Sequence, residues 1–172
     1  MKKNLFEDYL PPNEFENLKR VGCNNQRALH GMQKVQCPPI IALSLLAEVE
    51  VPSSLPLEEM ARKLSAIIGG FTFEPEETGR FEEVPAFFAK DDSSGVTFIL
   101  FGIPEGEICD AYTLECSAET ELFIPDFSRS LLGFMSNIVV EKNINARGYF
   151  DYSDELAAAL TANGINATKS AP

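Results

Sequence analysis

The chain has 172 residues, 45% of them hydrophobic, enough for one domain with a core that needs no disulfide or metal staple and too apolar for wholesale disorder. Its 26 acidic side chains outnumber 14 Lys and Arg, for a formal net charge of -12. That balance repels phosphates and disfavours direct binding to nucleic acid.

The charge is unevenly spread. Residues 1–36 carry six Lys/Arg against four acids, whereas residues 74–121 hold thirteen acids opposed only by Arg80 and Lys90. Such a surface either solubilises the chain or draws in a basic protein and speeds their encounter.

In chain order, MKKNLFEDYLPP has two lysines, but Glu7 and Asp8 interrupt any apolar run. No secretory signal is expected, and the expected location is cytoplasmic. Residues 1–39, bracketed by Pro11-Pro12 and Pro38-Pro39, read as an extension or strap. Gly22 and Asn24-Asn25 break its only helical stripe, Phe15, Leu18 and Val21. The stretch IIALSLLAEVEV (40–51) is β-branched and almost continuously apolar, which predicts a central strand buried on both faces, with alternation at its far end. It is also the longest apolar run, far short of the ~20 residues of a membrane span, so no membrane partner is expected.

Residues 56–68 predict a helix. Pro56 suits its first turn, Glu58 and Glu59 favour its dipole, and Leu57, Met60, Ala61, Leu64, Ile67 and Ile68 make its apolar stripe. Gly69-Gly70 supply the stop. A strand-rich middle follows at 71–75, 80–92, 95–104 and 110–119. Ser93-Ser94-Gly95 makes a hairpin turn, and Pro85 demotes its strand to an edge or a bulge. A second helix is predicted over 126–141 with Asp126 as N-cap, then a strand over 146–152. A last helix is capped at Ser153 or Asp154 and ended by Gly164. Residues 165–172 offer nothing to pack and read as a frayed tail. The expected domain is therefore 40–164. The order β-α-β-β-β-β-α-β-α predicts an α+β two-layer sandwich, a mostly antiparallel sheet with helices on one face.

Chemistry-bearing motifs are scarce. His30 is the sole histidine, in a polar stretch without acid or thiol at ligand spacing, and reads as a surface residue. Cys23 and Cys37 are fourteen apart and Cys109 and Cys116 seven apart, so neither pair forms a zinc knuckle and four free thiols are expected. Of the carboxylate pairs Glu58/Glu59, Glu76/Glu77, Glu82/Glu83 and Asp91/Asp92, acid–base catalysis would need two in contrasting environments, and strand neighbours such as Glu82 and Glu83 face opposite ways, so a solvated or partner-facing role is expected. The expectation is no enzyme, no cofactor and no metal. Aromatics interleave with the acids, so an anchor-plus-steering surface is expected, made of Glu74, Glu76, Glu77, Phe81, Glu82, Glu83, Phe88, Asp91 and Asp92, with Phe81 or Phe88 as the anchor.

The stretch EEMARKLSAIIGGFTFEPEETGRFEEVPAFFAKD carries a resemblance. A strand, a short helix ending near glycine and an acid-rich E-x-x-G-R-F-E-E-x-P-A-F segment, here Glu76 to Phe87, resemble small bacterial immunity proteins that neutralise a cognate toxin. The resemblance covers about residues 40–103 and leaves the extension outside. It implies an acidic inhibitor, monomer or homodimer, that masks a basic toxin or effector, and it carries no catalytic residues. The alternative is a type III secretion-type chaperone that holds an effector, although chaperones of that kind begin with a helix where this chain has a long strand. A small metabolic enzyme or ligand-binding protein, working through backbone and carboxylates alone, is the third reading.

Overall fold

The computed structural model describes residues 42–81, 84–131 and 133–170. The extension, with His30, Cys23 and Cys37, and the acids Glu82 and Glu83 lie outside them. Residues 42–172 form one compact unit.

The fold is built on one strand pair. β1 (Leu43–Pro52) and β5 (Ala111–Thr120) run antiparallel over ten residues each, from Leu43 opposite Thr120 to Pro52 opposite Ala111. β-Branched and alternating side chains suit a pleated surface with one buried face. Leu43, Leu45, Ala47, Val49 and Val51 are buried and alternate with Glu48 and Glu50, which are exposed. This is the alternation expected for its far end. In the near half Ser44 and Leu46 are half-buried, so burial on both faces is incomplete there.

The rest of the sheet grows outward from this pair. β4 (Thr97–Phe101) adds to β5, β3 (Ala86–Lys90) to β4, and β2 (Glu74–Pro75) to β3, all antiparallel. On the other side, β6 (Phe150–Asp151) pairs parallel with β1, and β7 (Thr168–Lys169) pairs antiparallel with its far half. The strand order is β2-β3-β4-β5-β1-β6, with β7 beside β1, so the mostly antiparallel sheet is mixed. The outer strands are shorter than the sequence pattern suggests. Between β2 and β3 the Val84 N–H bonds the Phe81 carbonyl and Pro85 interrupts the ladder, and before β6 the Asn145 side chain accepts the N–H groups of Arg147 and Tyr149 and holds a loop.

The helices pack on the sheet. α1 (Leu57–Ile68) buries Met60, Ala61, Leu64 and Ile68, and it ends at Gly69, whose φ of 66° lies outside the region side chains favour. Phe71 and Phe73 then close on Phe98, with ring centroids 5.0 and 6.0 Å apart. The helix expected over 126–141 is two: α2 (Ile124–Ser130) and α3 (Phe134–Ile138). Gly133, at φ 55° and ψ −118°, separates them in a conformation open to glycine alone. α2 begins after Phe123, with Pro125 in its first turn, so Asp126 is not its cap. α4 (Ser153–Ala162) is preceded by Asp151, whose carboxylate accepts the Ser153 N–H at 2.9 Å, so the cap lies before Ser153 and Asp154. Burial pushes the Asp151 carboxyl up, but the Ser153 hydroxyl and amide and the Lys169 ammonium outweigh it and hold its pKa at about 2.

The tail is also corrected. Ile165 and Ala167 are buried, β7 pairs with β1, and Lys169 reaches Asp151 and Asp154 at 3.0 and 3.2 Å. The apolar residues of a nominally polar segment complete the core at the edge of β1. Ile165 is 2% exposed, so Ile165→Ala is expected to cost ~2–5 kcal/mol of stability. Urea denaturation checks this, and an unchanged midpoint would mean the tail is frayed after all.

Candidate functional site

The acid-rich middle folds into two separate surfaces. The first lies at the end of the sheet where β2 leaves and β3 enters. The Glu76 N–H bonds the Ala86 carbonyl at 2.9 Å and keeps the ladder going one step past β2. The chain then turns on Glu76 itself, whose carboxylate accepts the Thr78 N–H and hydroxyl. The Thr78 hydroxyl is the main reason its carboxyl lies below the usual range. Beyond the turn the Phe81 ring meets Phe101 edge-on at 4.9 Å, and the Arg80 guanidinium lies 5.4 Å from the Phe81 ring centre.

The loop from β4 to β5 rises beside this turn. Its first residue, Gly102, donates to the Pro85 carbonyl at 2.7 Å. A Cβ there would stand 2.8 Å from both Leu57 and Pro85, so glycine is what lets the two loops close on each other. Together they enclose an open groove of about 540 Å³. Phe81, Val84, Pro85 and Ile103 give it an apolar lining, and Glu76, Glu77 and Glu105 supply its charge. At the tip of the same loop Ile108 is fully exposed, at 104%, between Glu107 and Asp110.

The second surface is the face of the sheet away from the helices, open over β1 and β5 but closed at β4, where Ile99 is 7% exposed. Cross-strand register sets one row across five strands: Glu74, Phe88, Ile99, Glu115 and Glu48. Glu48 and Glu115 are therefore directly opposite like charges, an arrangement that costs stability. Burial first, and the Glu48 charge second, push the Glu115 carboxyl up, while Arg80 partly offsets them. Glu50 and Glu119 stand exposed on the same face.

The expected site residues are thus divided. Glu76, Glu77 and Phe81 come together in the groove. Glu74 and Phe88 lie on the open face, paired across β2 and β3. Asp91 and Asp92 sit at the opposite end of the β3–β4 hairpin, five ladder positions or about 15 Å away. Asp91 is spent on the turn. Its carboxylate accepts the Ser93 N–H at 3.0 Å and the Ser94 hydroxyl at 2.6 Å, and these bonds hold its carboxyl below the usual range. Asp92 pairs with Lys90 at 2.6 Å in solvent, a contact of little energy. Sequence reasoning missed Ile103, Glu105, Ile108 and the Glu48–Glu115 pair. The pairing register brings the Glu48–Glu115 pair forward, and the Gly102–Pro85 contact brings Ile103 and Glu105 to the groove.

Other chemistry is sparse among the described residues. No group of three or more His, Cys, Asp or Glu side chains could hold a metal ion. The Cys116 thiol is buried and pushed up, chiefly by that burial, whereas Cys109 is exposed, and neither is in a disulfide. The apolar void between β1, β5 and helices α2 to α4 is about 20 Å³, room for little more than a water-sized probe. Among the described residues, no helix is long and apolar enough to cross a membrane.

The open-face pair generates a prediction with a definite sign. Because folding raises the Glu115 carboxyl, its penalty is absent below the ordinary carboxylate range and appears as pH rises through the folded value. Glu115→Gln is expected to stabilise the chain by ~0.5–1 kcal/mol at about pH 7 and to give no gain below about pH 4. Thermal denaturation at both pH values checks this, and a loss of stability at neutral pH would contradict it. Compared with protein-family models, curated proteins and solved structures, the chain matches none.

Proposed function

We propose that the chain is an inhibitor of the immunity-protein kind, binding a basic toxin or effector protein through the groove between the β2–β3 and β4–β5 loops. The observation that carries this reading is the groove's construction, with an apolar lining of Phe81, Val84, Pro85 and Ile103 beside Glu76, Glu77 and Glu105. Apolar surface beside acids is what a partner's Arg or Lys needs, since its aliphatic stem packs while its charged head pairs. The segment Glu76 to Phe87, which bears the resemblance to immunity proteins, runs through the loop that builds this groove. A binder of this kind acts by occupying its partner's site, so it needs no catalytic group of its own.

In this reading affinity comes from a few buried anchors, and the carboxylates mainly raise the encounter rate. Replacing Glu77 and Glu105 together by lysine is expected to slow association with the basic toxin domain encoded by an adjacent reading frame by about tenfold or more. The slowing should shrink as salt is raised. Phe81→Ala should instead act mainly on dissociation. Surface-based binding kinetics at low and high salt measure both. Unchanged association in the charge reversal, at either salt, would place the interface elsewhere.

A further inference from the structure

The groove between the two loops is built to distinguish one kind of cation from another. Its apolar side is a fixed surface. Phe81 stands edge-on to Phe101 at 4.9 Å and 81°, which holds its ring in one orientation. Pro85 is held too, since its carbonyl accepts the Gly102 N–H at 2.7 Å and its ring leaves no room for a Cβ at Gly102. Ile103 follows Gly102 in the chain and joins the same lining. This surface is in place before a partner arrives, so little ordering is required of it on binding.

The acids of the groove fall into two kinds. The Glu76 carboxylate is engaged by the Thr78 N–H and hydroxyl. Glu77 and Glu105 are exposed, come from different loops, and make no hydrogen bond or ion pair among the described residues. No Lys or Arg is among the described residues that line the groove. Arg80 does not line it, and its guanidinium lies 5.4 Å from the centre of the Phe81 ring. The ring thus already accepts a guanidinium from within the chain, and Phe81 still borders the groove.

These features favour one basic side chain over the other. A lysine ammonium is a compact, strongly hydrated charge that gains little from a flat apolar surface. A guanidinium is planar and weakly hydrated. Its face can lie on Phe81 or Pro85 while its edge donates to carboxylates on two sides. We propose that the groove is an arginine receptor, in which one arginine of the partner protein stacks on the Phe81–Pro85 surface and donates to Glu77 on one loop and Glu105 on the other. The inference rests on the groove being the binding site, and adds which partner side chain it selects.

The test uses the isotope-labelled full chain and three small probes, the N-acetyl, N-methylamide derivatives of arginine, lysine and citrulline. Citrulline keeps the shape of arginine without its charge. Amide NMR signals of Phe81, Ile103 and Glu105 are followed in each titration. The arginine probe is expected to shift them saturably, at about tenfold lower concentration than the lysine probe, and the citrulline probe to give no saturable shift. E77Q/E105Q should abolish the preference for arginine, and Phe81→Leu, which keeps the lining apolar, should reduce it. Glu77 and Glu105 have no contact to lose, so the double variant is expected to fold, and thermal denaturation verifies this. Equal saturation of these signals by arginine and lysine would overturn the choice of arginine and leave the groove as a site for basic partners. An unchanged preference in E77Q/E105Q, or no saturable shift of the groove signals by the arginine probe, would overturn the proposal as well. The toxin-binding kinetics of E77K/E105K test the groove reading separately, so the two failures are distinguishable.

Discussion

The antiparallel pairing of β1 with β5 is the constraint on which everything else rests. Ten residues against ten, in a single register, decide which side chains point to the helices and which to solvent. A slip of β1 by one residue against β5 would send Val49, 0% exposed, to the open face and carry Glu48 and Glu50 into the core. Burying two unpaired carboxylates is far costlier than any single contact in the fold, so the register is fixed by what it keeps out as much as by what it buries. The strand's outer edge is closed with equal care. The Leu46 carbonyl accepts the Tyr152 N–H at 2.8 Å, and the Glu48 N–H donates to the Ser153 hydroxyl at 3.0 Å. β7 then covers the remainder.

That register also fixes where binding is possible. One face is filled by α1 to α4, and the void between β1, β5 and α2 to α4 is water-sized. On the other face the alternation leaves Glu48, Glu50 and Glu119 exposed, while Ile99 of β4 is buried. At the end of the sheet, Gly102 lets two loops meet and form the groove. The groove and the face thus arise from different causes: one from loop closure around a glycine, the other from strand alternation. They can be perturbed independently.

Much of this was legible in the sequence where the signal is local. The stripe Met60, Ala61, Leu64 and Ile68 located α1, and the alternation Tyr112, Leu114, Cys116 located β5 to within a residue or two. Ser93-Ser94-Gly95 marked the hairpin. What escaped depends on residues distant in the chain. That Ser44 and Leu46 of β1 are only half-buried follows from where the helices end up, which an apolar run cannot report. The glycine that splits α2 from α3 looks, in sequence, like a tolerated interruption. Ile165 and Ala167 have no periodic neighbours, and their burial comes from β1, more than a hundred residues earlier. The candidate site was half legible. Glu76, Glu77 and Phe81 share a loop, but Glu105 and Ile103 join them only through the Gly102–Pro85 contact, and Asp91 is drawn away by its own turn.

The central claim is that β1 and β5 hold Glu48 and Glu115 against each other on an open acidic face. A double-mutant cycle on Glu48→Gln and Glu115→Gln, read by equilibrium denaturation at neutral pH, measures this directly. Either single change removes the same repulsion, so the account predicts that the double variant gains less than the sum of the two, by ~0.5 kcal/mol or more. Strictly additive effects would mean that the two carboxylates do not face each other, and that the register and the face built on it are wrong.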